Sequence, residues 1–221
     1  MNAIAKMPAT AQQRGKIAPA KLAHVALRTS QPDKVVSFYK MVLEAEVFYA
    51  NDNLSFLTYD DEHHRLAILR VPGLRPSSRA RAGVDHVAFT YRSLAELLST
   101  YVRLKDAGIT PVWTTHHGAT LSFYYADPDN NMAELQVDVH ENVEDLEAYL
   151  ASEDFNLNPV GVDFDPEEIR ARFEKGECPA DILVRHADGP RDIATIPKEI
   201  LGGLHWFLVR LTSKLGRKLH Q

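Results

Sequence analysis

Three residues in this chain could together do chemistry: His24 in "KLAHVALR", His86 in "GVDHVAFT" and Glu134 in "NMAELQVD". Strand alternation sets His24 beside Ala26 and opposite Val25 and Leu27. It sets His86 beside Ala88 and opposite Val87 and Phe89. The small alanines leave space in front of each imidazole. Glu134 falls on the inward face of its own run, where a carboxylate is costly unless water or a cation meets it. Two imidazoles and one carboxylate can hold a divalent metal with coordination positions left open, the ligand set of non-haem Fe(II) oxygenases. On the residues alone, that reading and one of ordinary, satisfied strand histidines both stand.

The elements that must position these residues come in two copies. "KLAHVALR" resembles "GVDHVAFT", and "LSFLTYDDEHHRLAIL" resembles "LSFYYADPDNNMAELQ". Between the members of each pair lies a helical pattern. "PDKVVSFYKMVL" places Val35, Val36, Tyr39 and Val42 on one face. "SLAELLSTYVRLKDAG" does the same with Leu94, Leu97, Leu98, Tyr101 and Leu104 and stops at Gly108. Three short β-rich runs follow each helix, so each copy reads as strand, helix and three strands. The Pro-, Ser- and Arg-rich stretch Val71 to Gly83 links them. Both histidines recur at the same place in the repeat. Aligning "HRLAIL" with "NMAEL" sets Ile68 opposite Glu134, so the first copy supplies one ligand and the second supplies two.

Composition narrows the function. A net charge of -5 argues against nucleic-acid binding, which favours a basic excess. The single cysteine, Cys178, excludes an internal disulfide and suits a reducing compartment, and a cytoplasmic location is expected. No apolar run approaches the roughly 18 residues of a membrane span. The N-terminal residues 1–20 read as a flexible tail with a weak echo of a transit peptide. Beyond the second copy, "NVEDLEAYLASED" reads as a short acidic helix. "DPEEIRARFEKG" opens on Asp165 as N-cap and Pro166 at the first helical position, and closes at Gly176. The last segment spaces Ile200, Leu204, Leu208, Leu211 and Leu215 as an amphipathic helix, with Arg210, Lys214, Arg217 and Lys218 toward its end. Packing on the domain or on a second subunit is preferred there to a membrane surface.

From Lys21 to Asp138 the sequence resembles the vicinal-oxygen-chelate superfamily, and within it the small, two-module type I extradiol ring-cleavage dioxygenases. "THHGATLSFYYADPDNNMAE" carries the most specific match, through His117, Phe123-Tyr124, Asp127-Pro128 and Glu134. Asn130 replaces a usual glycine, a mild departure because Asn tolerates left-handed turns. The spacer after His117 is short, which leaves His116 as the alternative match. With the repeat, the resemblance implies an α+β fold. Two tandem βαβββ modules (21–72 and 83–140) would form one open curved mixed sheet around a metal site, followed by a mainly helical extension over 141–221.

The same resemblance implies Fe(II), or Mn(II), on His24, His86 and Glu134. A catechol-type aromatic diol would be cleaved with O2 beside its two hydroxyls. It implies His64 as acid–base group, Tyr124 as hydrogen-bond donor to a substrate oxygen, and His117 as a second donor there. A homo-oligomer would be unsurprising. Two other functions compete: a glyoxalase-like isomerase or lyase, which usually draws a carboxylate from both copies, and a non-catalytic small-molecule binder of the same fold.

Overall fold

The computed structural model describes Thr10, Gln12, residues 18–186 and 189–202, Phe207 and Leu208. Most of the N-terminal tail lies outside this set. So does most of the expected terminal amphipathic helix, of which Ile200 and Leu208 are described but Leu204, Leu211 and Leu215 are not.

The first copy forms β1 (Val25–Thr29), α1 (Pro32–Leu43), β2 (Glu46–Ala50), β3 (Leu54–Thr58) and β4 (Leu66–Arg70). The second forms β5 (His86–Thr90), α2 (Leu94–Asp106), β6 (Trp113–His116), β7 (Thr120–Ala126) and β8 (Met132–Asp138). Local chemistry sets the helix ends. Pro32 stands at the start of α1, and Glu44 ends it in the left-handed region at φ 51°. Ser93 caps α2 by accepting from the Glu96 amide at 3.2 Å, and Gly108 at φ 77° turns the chain out of it.

The strands divide into two sheets where a single curved one was expected, ordered β1-β4-β3-β2 and β5-β8-β7-β6, the second extended beyond β6 by a short strand, β9 (Val162–Asp163). In each, the first and last strands of a copy pair in parallel and the other pairs are antiparallel. β1 and β5 are therefore both edge strands. The helices cover one face of each sheet. Val35, Tyr39 and Val42 of α1 and Leu97, Leu98, Tyr101 and Leu104 of α2 are buried against alternate strand residues, among them Leu57, Leu66, Ile68, Leu121, Phe123 and Leu135. Val42 reaches the second core and Ala133 the first, so the two cores interlock. Polar contacts reinforce the junction. Tyr39 donates to Asp127 at 3.3 Å, and Gln31 donates to Asp129 at 2.8 Å and to the Pro128 carbonyl at 2.9 Å.

The register corrects one alignment. Ala88 lies opposite Glu134 as Ala26 lies opposite Ala67, so the counterpart of Glu134 in the first copy is Ala67. Ile68 points the other way, into the helix-covered core at 0% exposure. The first copy still contributes no carboxylate at this position.

The extension is not purely helical. After α3 (Val143–Leu150) and α4 (Glu153–Leu157), the two-residue strand β9 (Val162–Asp163) adds to the edge of the second sheet against Thr115 and His116. Then α5 (Pro166–Glu174), capped by Asp165 as expected, and α6 (Pro179–Ile182) set Ile169 and Ile182 into the second core. A 3-10 turn (Ile193–Thr195) and α7 (Lys198–Leu201) follow. Among the described residues no helix is long and apolar enough to cross a membrane.

Candidate functional site

The helix-free face of the second sheet carries His86 on β5, Glu134 on β8, Tyr124 on β7 and Trp113 on β6, placed there by alternation and by the pairing Trp113–Tyr124–Glu134 across three strands. Glu134 is 4% exposed. His86 Nε2 faces its carboxylate at 3.0 Å, and the other ring nitrogen, Nδ1, lies 2.8 Å from Asp85. Arg79 of the linker holds Asp85 in turn. With a carboxylate on each side, His86 is pushed up to about 9, the Glu134 contact being the larger cause. Burial pushes Glu134 up, but the contacts of His86, Ser122 and Tyr124 outweigh it and leave Glu134 below the usual glutamate value. A proton on His86 thus stands where Glu134 needs positive charge.

Beside this pair, His117 Nε2 lies 2.9 Å from the Tyr124 hydroxyl and 4.0 Å from Glu134. His117 Nδ1 meets the Val160 carbonyl. A carbonyl only accepts, so Nδ1 carries the hydrogen and, in the neutral ring, Nε2 offers its lone pair to the Tyr124 hydroxyl. Burial lowers the pKa of His117, which favours that neutral form, and raises that of Tyr124 far above the ordinary phenol range. His116 points to the opposite side, donating from Nε2 to the Leu183 carbonyl at 2.9 Å and accepting the Gly118 amide on Nδ1 at 3.0 Å. Of the two neighbouring histidines, His117 is the one beside Tyr124.

The first module places His24 against His64, their ring centroids 4.4 Å apart. His64 is 8% exposed and stacks on Phe56 at 4.2 Å. Burial lowers its pKa, and the neighbouring His24 and His63 rings add to the effect. The structure therefore brings the six expected residues into two groups, His86–Glu134–Tyr124–His117 and His24–His64. Among the described residues no three His, Cys, Asp or Glu side chains are grouped as a metal site. The donor chemistry of the first group suits a divalent cation: a buried carboxylate, an imidazole aimed at it, and a second carboxylate orienting that imidazole. His24 would complete the set only by approaching from the edge of the first sheet.

Residues 21–135 match the model of the glyoxalase/bleomycin resistance protein/dioxygenase superfamily. The chain belongs to this superfamily. Among curated proteins it is similar to biphenyl-2,3-diol 1,2-dioxygenase 2 of Rhodococcus globerulus, with 42% identity over 76% of this chain and 88% of that protein. It is 37% identical to biphenyl-2,3-diol 1,2-dioxygenase 3 of the same organism, over 75% of this chain and 88% of that protein. Among solved structures, a glyoxylase/bleomycin resistance protein/dioxygenase domain from Frankia sp. EAN1pec aligns with TM-score 0.47 and 21% identity, covering 59% of this chain and 99% of that chain.

Within this superfamily member, three contributors to the site escaped the sequence reading. Asp85 has a local signal, the Asp-His pair that sets it next to His86. Trp113 stacks on Tyr124 at 5.1 Å and donates to Asp163 at 2.7 Å, and Val160 holds His117. Asp163 and Val160 come from the extension, so no spacing within the repeat could point to them.

Proposed function

We propose that the chain is a non-haem, metal-dependent extradiol dioxygenase that opens the ring of a catechol-type diol with O2. The metal is Fe(II), with Mn(II) accepted by the same donors, and an aryl-substituted diol of the kind named for the Rhodococcus relatives is the first substrate to try. The observation that carries this reading is the His86 imidazole facing the buried Glu134 carboxylate, with Tyr124 and His117 beside it, in a chain 42% identical to such a dioxygenase. His24, His86 and Glu134 would hold the metal, which supplies Lewis acidity toward the diol oxygens and a path for electrons to O2. Asp85 keeps His86 turned toward that place. The Tyr124 hydroxyl donates to a substrate oxygen. Before the diol binds, that single hydroxyl hydrogen rests on His117 Nε2, from which it turns to the substrate oxygen. His64, stacked on Phe56 beside His24, takes the second diol proton and returns it later in the cycle.

The test is anaerobic reconstitution with Fe(II), then O2 uptake and appearance of a coloured ring-fission product with a panel of catechols. His24→Ala, His86→Ala and Glu134→Ala should each abolish both signals. Full activity in any of them would sink the ligand assignment. Turnover of a diketone or thiohemiacetal without O2 would move the chain to the isomerases and lyases of the superfamily.

A further inference from the structure

The carbonyl that takes the His117 Nδ1 hydrogen belongs to the short loop Asn158–Gly161, between α4 and β9. This loop has its own internal brace. The Asn158 side chain accepts the Gly161 amide at 2.9 Å and donates to the Gly161 carbonyl at 3.1 Å. Two arginines from farther along the extension grip its ends. Arg185 donates to the Asn158 carbonyl at 2.8 Å and to the His117 carbonyl at 3.1 Å, and it also holds the Tyr149 hydroxyl. Arg191 donates to the Gly161 carbonyl at 2.8 Å and, through its other terminal nitrogen, to both oxygens of Asp163 at 2.7 Å.

Burying guanidinium groups is costly unless they are paired. The Arg191 side chain is 7% exposed, and the Nε atoms of Arg185 and Arg191 are both buried. What the two groups receive in return is a fixed loop: the carbonyls they bind are those on either side of Val160. The close approach also dictates Gly161. At φ +116°, a Cβ there would come within 2.5 Å of the His116 carbonyl oxygen. Three features distant in sequence thus converge on the placement of one carbonyl.

We infer that Arg185, Arg191 and Gly161 are positioning residues for His117: through the Val160 carbonyl they hold its ring in the Nδ1–H tautomer, so that Nε2 faces Tyr124. The C-terminal extension is then a working wall of the site in addition to a cover for the second core. The catalytic consequence rests on the proposed roles of Tyr124 and His117; the tautomer itself does not. Without the Val160 carbonyl, the neutral ring is free to place its hydrogen on Nε2. That reverses the contact: Nε2 then donates to the Tyr124 oxygen, and no acceptor on His117 holds the Tyr124 hydrogen in place before the diol arrives.

The experiment uses full-length, metal-free protein labelled with 15N at histidine. Two-bond 1H–15N correlation spectra read each ring's tautomer, and His117→Gln assigns the His117 signals by their loss. The expected wild-type pattern is a protonated Nδ1 and a bare Nε2. Arg185→Gln or Arg191→Gln should shift these signals toward the Nε2–H form or an average of the two. The same variant, loaded with Fe(II), should show kcat for the diol reduced on the order of tenfold with KM nearly unchanged. Gly161→Ala supplies a third route to the same shift if an arginine variant fails to fold. A wild-type His117 with its hydrogen on Nε2 overturns the inference. So do folded variants at 185, 191 and 161 that all keep the wild-type spectrum. If the wild type consumes no diol, the dioxygenase reading falls while the tautomer result still decides this inference.

Discussion

His116 makes a prediction whose size follows from its surroundings. Its ring is 7% exposed and occupied on both sides, donating from Nε2 to the Leu183 carbonyl and accepting the Gly118 amide on Nδ1. A second ring hydrogen would have to replace that acceptor contact with a clash of two N–H groups. Burial is the main cause that pulls its pKa down to about 4, with nearby Arg185, His117 and His140 adding to it and the Leu183 carbonyl opposing. An unfolded-chain histidine titrates near about 6.5. Between those values the unfolded chain binds a proton that the folded chain refuses. The contribution is therefore fully present above about pH 6.5 and is lost as pH falls toward about 4. Roughly 2.5 units at about 1.4 kcal/mol each give a loss of about 3 kcal/mol. Urea unfolding of wild type and His116→Gln at a series of pH values isolates this term, because the other titrating groups are common to both. The wild type should lose about 3 kcal/mol more than the variant between about pH 7 and pH 4. A stability difference that stays constant over that range would refute a neutral, doubly bonded His116.

Other perturbations test separate parts of the structure. Asp85→Ala removes the carboxylate behind His86 and should weaken Fe(II) or Mn(II) binding about 10- to 100-fold in anaerobic titration, with stability little changed because Asp85 is exposed. Leu104→Ala empties a fully buried position under α2 and should cost about 2–5 kcal/mol in urea unfolding. Gly118→Ala puts a methyl group where the Tyr149 hydroxyl sits, at φ +89°, and should cost on the order of 2–4 kcal/mol. Adding Tyr149→Phe to it should recover little of that loss, since the ring carbons Cζ and Cε1 would still lie 2.1 and 2.6 Å from the new methyl group.

The fold was legible where local pattern and global packing agree. Helix α1 spans the same twelve residues as its apolar periodicity, and Asn130 takes the left-handed turn, at φ 61°, that its place in "DPDNN" called for. Glu134 was legible by contradiction, since a carboxylate on an inward strand face demands a partner, and His86 is that partner. Register is harder to read. A one-residue slip turned Ile68 into the counterpart of Glu134, although the offset that aligns Leu54 with Leu121 selects Ala67, on the face where a side chain can meet the site. The split into two sheets was not legible at all, because nothing local to β1 or β5 states whether their free edges pair.

The extension shows the same limit from the other side. Its helices announce themselves through caps such as Asp165, yet its contribution to the site runs through a two-residue strand, one carbonyl and two arginines, none of which has a local signature. What the sequence does contain is the set of glycines the contact requires. Gly161 sits where any Cβ would collide with the His116 carbonyl at the end of β6, and Gly118 sits where any Cβ would collide with the Tyr149 ring of α3. A glycine in a polar turn reads as flexibility, but two glycines that each make room for a part of the neighbouring segment are better read as clearance. Here that clearance lets a late part of the chain reach a ring beside Glu134. Residues outside the repeat therefore belong in any account of how the site works.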